Sequence, residues 1–187
     1  ECRPPKPNVG CSNHLGRTNL TNISNAGVES IIYKNATFSN CRTYRYSLSR
    51  IWDKKKKCVL FIGLNPSTAD EEVDDPTIRR CINYAKNWGY GGFMMVNLFA
   101  YRTTLASNLK KVKYPVGIEN DQYIVTLSKK ADITVAAWGN NGNLYNRGKQ
   151  VLNLVPNLMC LKVNKSGQPA HPLYLKKNLK LIKFSRL

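Results

Sequence analysis

Residues 59–67 read Val-Leu-Phe-Ile-Gly-Leu-Asn-Pro-Ser, an apolar run that passes straight into a tight turn with Asn65 at its tip. An open α/β sheet binds its ligand at the carboxyl ends of its strands, so this turn marks the expected site of chemistry. Gly63 lets backbone approach a ligand closely, and Pro66 fixes the turn that presents Asn65. With Ser67, these residues form the first candidate site.

Downstream of this strand, predicted over 58–64, the chain alternates helix and strand. Asp75-Pro76 starts a helix, with a capping carboxylate followed by proline at the first helical position. Ile78, Cys81, Ile82, Ala85 and Trp88 then recur at helical spacing, and Gly89 ends the element. Phe93–Leu98 reads as a second strand, followed by a loop long enough to suggest a functional excursion. The pattern predicts a helix over Glu119–Lys130, a strand over Ile133–Trp138, a helix over Leu144–Val155 and a strand over Leu158–Val163. Alternation of this kind implies a three-layer α/β/α domain with a four-stranded, mainly parallel sheet. The basic tail Lys176–Leu187 reads as helical or extended.

Upstream, Ile31–Phe38 and Thr43–Trp52 read as N-terminal β additions, with Tyr44, Tyr46 and Leu48 alternating with polar residues. The four lysines Lys54–Lys57 form either a solvated turn or a phosphate contact. Residues 1–27, rich in Pro, Gly, Asn and Ser, read as an irregular arm preceding a single domain over 28–187.

The formal net charge is +18 with a pI near 9.8, which favours a polyanionic partner, and nucleic acid is the expected one. No apolar run reaches the length of a membrane span, and no signal peptide is visible. The six cysteines lack C-x-x-C pairing, so neither zinc nor an iron–sulfur cluster is expected. No cofactor is expected either. A reducing cytoplasm and a monomeric state are the expectation.

Four strand ends carry polar or glycine residues: Gly63-Leu-Asn-Pro-Ser67, Asn97-Leu-Phe-Ala100, Trp138-Gly-Asn-Asn-Gly142, and the stretch from Lys162 to Pro172. All four are expected on one rim of the sheet. Phe61–Asp70, Asp74-Asp-Pro-Thr-Ile-Arg-Arg80, Trp88-Gly-Tyr-Gly-Gly92, Val96-Asn-Leu-Phe-Ala100, Ala136-Ala-Trp-Gly139 and His171-Pro-Leu-Tyr-Leu175 resemble the DUF1643 family over roughly residues 43–180. More distantly, the same blocks resemble the uracil-DNA glycosylase superfamily in the same chain order. That resemblance implies a uracil-DNA-glycosylase-like fold. It also implies that Asn65 positions an attacking water, as in the mismatch-specific branch. Asn97 would read a flipped base, and His171 would stabilise the leaving base just before a wedge residue. The serine-rich continuation of the late motif is replaced by Leu173-Tyr-Leu175, and the aspartate of the uracil branch is missing. Uracil therefore fits no better than another, modified base.

Residue chemistry runs parallel to the resemblance. Breaking an N-glycosidic bond requires a held water and stabilisation of the departing base. The Asn65 amide can orient water but cannot deprotonate it. His171 can donate to a base oxygen where negative charge develops. Asn97 offers both a donor and an acceptor to a Watson–Crick edge. Phe99, Tyr101 and Trp138 are candidate stacking surfaces, while Leu173 or Tyr174 could fill the vacated stack. Arg102, Asn140, Arg147, Lys165, Lys176 and Lys177 are candidate DNA contacts.

Asp70, Glu71, Glu72, Asp74 and Asp75 concentrate acid beside the Asn65 turn. Asp75 is explained as a helix cap, whereas Asp70 or Asp74 is a candidate general base. The expected activity is metal-independent DNA base excision, in repair or in defence against phage DNA. Two alternatives stand: a non-catalytic binder of modified nucleic acid, and a metal-dependent nuclease using Asp70, Asp74 and Asp75.

Overall fold

The computed structural model describes residues 30–184, so the expected arm at 1–27 and the end of the tail lie outside the described residues. In chain order the strands are β1 (Tyr33–Phe38), β2 (Arg45–Ile51), β3 (Cys58–Gly63), β4 (Gly92–Asn97), β5 (Ile133–Ala136), β6 (Met159–Cys160) and β7 (Ile182–Lys183). The helices are α1 (Pro76–Asn87), α2 (Asn120–Lys130) and α3 (Arg147–Leu154). All seven strands share one sheet, in the order β1-β2-β4-β3-β5-β6-β7.

This corrects the expected four-stranded sheet. Strands β4, β3, β5 and β6 do pair in parallel. However, β2 pairs antiparallel with β4, β1 with β2, and β7 with β6. The N-terminal strands continue the same sheet because the outer edge of β4 presents backbone groups that need partners. At the far edge, part of the basic tail forms β7.

Each parallel strand is buried on both faces, and the alternation sorts its side chains. Val59, Phe61, Phe93, Met95 and Val135 face α1 through Ile78, Cys81, Ile82 and Ala85. Leu60, Ile62, Val96 and Ala136 face the other way, toward Ile124 of α2 and Val151 of α3. One helix therefore covers one face and two cover the other. Removing a large apolar side chain from water is worth roughly 1.5–3 kcal/mol. Val59, Leu60, Phe61 and Ile62, all 0% exposed, therefore fix β3 at the centre of the sheet.

Helix α1 begins as expected: Asp75 Oδ1 accepts from the Ile78 amide at 2.8 Å, and Pro76 follows. It ends one residue before Trp88, and Gly89 at φ +82° takes the left-handed turn that stops it. The third helix is shorter than the expected Leu144–Val155. Residues Asn140–Asn146 form a kinked 3-10 segment with Tyr145 and Asn146 at φ 53° and 58°.

The expected alternation in β2 fails at one point. Thr37 of β1 pairs with Ser47 and Phe38 with Arg45, so two residues of β2 span one step of β1. This bulge at Tyr46 turns its ring to the α2 face, where it stacks on Tyr123 at 5.1 Å. Leu48 packs on the opposite, α1 face. Arg45 also reaches the α1 face, donating to the Ala69 carbonyl at 2.7 Å. Among the described residues, no helix is long and apolar enough to cross a membrane.

Candidate active site

The carboxyl ends of β3, β4 and β5 and the segment after β6 open onto one cavity of about 640 Å³. The predicted convergence on a single rim is what the structure shows: Gly63, Asn65, Ser67, Asn97, Trp138, Asn140 and His171 all line it. Leu173 and Tyr174 lie at its wall, and Thr77 and Asp75 bring the start of α1 to it.

Asn65 is held by its amide nitrogen. Nδ2 donates to the Pro66 carbonyl at 3.0 Å and to the Thr103 carbonyl at 2.7 Å. Both donor hydrogens are thereby committed, which orients the amide and leaves Oδ1 as its acceptor. Pro66 itself is outside the lining and serves as this anchor. Gly63 and Asn97 are register partners on β3 and β4. A Cβ on Gly63 would lie 2.7 Å from Asn97 Oδ1, so glycine is required for that side chain to lie across the strand end. Asn97 is 2% exposed, and its Nδ2 has no hydrogen-bond partner among the described residues. A buried amide donor without a partner is costly unless something else occupies the cavity.

His171 caps the short 3-10 turn Pro172–Tyr174, its Nδ1 accepting from the Leu173 amide at 3.4 Å. With Nδ1 as acceptor, a neutral ring carries its proton on Nε2. Burial lowers the pKa of this histidine, opposed by the nearby Asp75 charge. His171 therefore presents itself as a neutral N–H donor. Gly139, at φ +73°, lets the chain turn beside its Cβ. Trp138 corrects an expectation. It is 1% exposed, donates through Nε1 to Gln168 at 2.9 Å and meets Phe184 edge-on. Its ring is core that braces the loop carrying His171, and is not a platform for a base. The side chain of Asn140 is likewise occupied, accepting from Asn164 and Ser166.

Two charged residues at the cavity were not singled out from the sequence. Arg45 is 1% exposed and lines the cavity, as does Lys162. Among the described lining residues Asp75 is the one carboxylate, and its Oδ1 is engaged in the helix cap. Arginine in an alternating strand reads as solvent-facing. The signal that could have found Arg45 is the bulge, which sequence periodicity does not reveal.

The family described as Protein of unknown function (DUF1643) matches residues 45–173. The chain belongs to the DUF1643 family. No curated protein and no solved structure matches it. The span matched by DUF1643 begins at Arg45 and takes in every residue of the cavity lining except Tyr174 and Leu175.

Several expected site residues have other work in this DUF1643 chain. Asp70 Oδ1 closes a turn on the Glu72 and Val73 amides, which lower its pKa. Asp74 pairs at 2.8 Å with Arg50, whose side chain is 0% exposed. The Asp74 carboxylate binds the 69–75 loop to β2 while that of Asp70 closes the loop on itself, and both residues lie outside the cavity lining. Among the described residues no three His, Cys, Asp or Glu form a cluster able to hold a metal ion. Phe99 is fully buried, edge-on to Tyr145, and Tyr101 packs against Tyr44. Arg147 is 3% exposed, donates to the Leu98 carbonyl at 2.8 Å and pairs with Asp121, so it ties α3 to the end of β4 instead of reaching phosphate. Arg102 donates to the Arg42 carbonyl and lies over Phe38. Lys165 borders a neighbouring hollow, and Lys176 and Lys177 are exposed just past the cavity.

Proposed function

We propose that this protein is a DNA N-glycosylase that draws a base into the cavity and hydrolyses its bond to the sugar. The observation that carries this reading is the pairing, in one cavity, of an oriented Asn65 oxygen with a neutral His171 N–H donor. Asn65 Oδ1 accepts from a water and points its oxygen at the anomeric carbon. As the C1′–N bond breaks, its electron pair passes to the base. His171 Nε2–H donates to the base oxygen that gains negative charge. The water oxygen bonds to C1′, and its surplus proton ends on the departed base or in solvent. Asp75 supplies the negative charge that favours the cationic sugar.

In this reading the β4-β3-β5-β6 core corresponds to the parallel sheet of a uracil-DNA-glycosylase-like domain. Tyr174, 84% exposed beside His171, fills the stack that the base leaves. The protein would act as a monomer in a reducing cytoplasm, where Cys58, Cys81 and Cys160 would stay thiols.

The test is base release from genomic and phage DNAs in EDTA, with the released bases identified by mass spectrometry. Abasic sites should form, and Asn65→Ala and His171→Ala should each slow their formation about 100-fold or more. Tight binding with every base left intact would favour a non-catalytic binder instead. Release confined to phage DNA would point to defence, and release from damaged host DNA to repair.

A further inference from the structure

Three arginines are buried among the described residues: Arg45, Arg50 and Arg147. Two have carboxylates, Arg50 with Asp74 and Arg147 with Asp121. Arg45 has none. Its guanidinium makes one side-chain hydrogen bond, from Nη1 to the Ala69 carbonyl, while Nε is buried without a partner among the described residues. Asp75 acts on it only through space, and burial pulls its pKa down to about 10. A buried cation left unpaired is costly, and arginine stays protonated in proteins. The Ala69 carbonyl and the Asp75 charge offset part of that cost, and an anion entering the cavity that Arg45 lines would offset the rest.

Asn97 Nδ2, on the same cavity, is a second buried donor in want of an acceptor. Lys162 adds positive charge to the wall. Guanidinium and ammonium offer no acceptors, so the complementary group is an oxygen-bearing anion.

We propose that the cavity is built for an occupant that carries an oxyanion, a carboxylate or a phosphate, received by Arg45, with Asn97 donating to an acceptor on the same occupant. The anion follows from Arg45 and Lys162; assigning it to a nucleotide unit rests on the glycosylase reading. On that reading it is either an acidic substituent of the flipped base or a phosphate of the same nucleotide.

The experiment titrates the full chain calorimetrically with inorganic phosphate, 2′-deoxyuridine 5′-monophosphate, 5-carboxyuracil and uracil. At least one anionic probe should bind tenfold or more tightly than uracil, and Arg45→Gln should remove that margin. A margin for the monophosphate or phosphate assigns the anion to the backbone, and one for 5-carboxyuracil assigns it to the base. Equal binding of all four probes, or a margin that survives Arg45→Gln, overturns the proposal. Should Arg45→Gln not fold, the Nε–H resonance of Arg45 in the unaltered chain decides: it should move on adding the preferred anion and not on adding uracil. A margin without base release from any DNA keeps the oxyanion site and removes the glycosylase. Base release without a margin does the reverse.

Discussion

At the scale of single residues, the site depends on side chains whose freedom has been removed. Gly63 gives way so that Asn97 can lie across the strand end; Gly63→Ala places a Cβ against Asn97 Oδ1 and must displace it. That overpacking should cost about 1–3 kcal/mol in denaturant unfolding and lower base release more than Gly139→Ala does. His171 carries a pH signature. Burial holds its folded-state pKa below the ordinary 6.5, so below that value the unfolded chain binds the extra proton. The stability contributed by the neutral ring is therefore full above pH 6.5 and is lost as pH falls toward the lowered pKa. Relative to His171→Gln, wild-type stability should decline in that acid window. Base release should stay level through neutrality and fall only below pH 6.5. A histidine acting as a cation would show the opposite slope. Asn65 was legible as a candidate because a strand end followed by Asn-Pro is a local pattern. The locking of its amide by Thr103 was not, because the partner is remote in sequence.

At the scale of elements, α1 couples helix capping to the site. Its start was legible because a cap and an N1 proline act within four residues. That Asp75 also lines the cavity depends on where the helix is set against the sheet. The two roles separate by substitution. Asp75→Ala should lose about 1 kcal/mol of stability through the missing cap. Asp75→Asn should keep the cap, and the stability with it, while base release falls if the negative charge favours the cationic sugar. Equal activity in Asp75→Asn and wild type would reduce Asp75 to a cap alone. The bulge in β2 is the opposite case. Alternation of Tyr44, Tyr46 and Leu48 looked regular, yet one extra residue sends Tyr46 to α2 and Arg45 to the cavity side. Bulges answer to the partner strand, and the pairing of β1 with β2 is not written in either segment alone.

At the scale of the whole molecule, the charge of +18 predicts affinity for nucleic acid that weakens steeply with salt. Each phosphate contact contributes about −0.9 to the slope of log affinity against log salt for duplex DNA. Lys176 and Lys177 are exposed beside the cavity, so Lys176→Glu with Lys177→Glu should flatten that slope by about 2 or more in fluorescence anisotropy. An unchanged slope would show that these two lysines make no phosphate contact. By itself the sequence determined the strand at 59–63, the capped helix after it, the alternation of strand with helix and the convergence of strand ends on one rim. These follow from short-range capping and from burial of periodic apolar residues, which one segment displays without its neighbours. Only the tertiary structure decided that the sheet has seven strands, because edge pairing joins segments far apart in the chain. It also assigned Asp70, Asp74, Trp138 and Arg147 to bracing and left Arg45 with no carboxylate in ion-pair contact among the described residues. Which buried charge is paired and which is left waiting is settled by packing, since it depends on what stands across from each side chain in space.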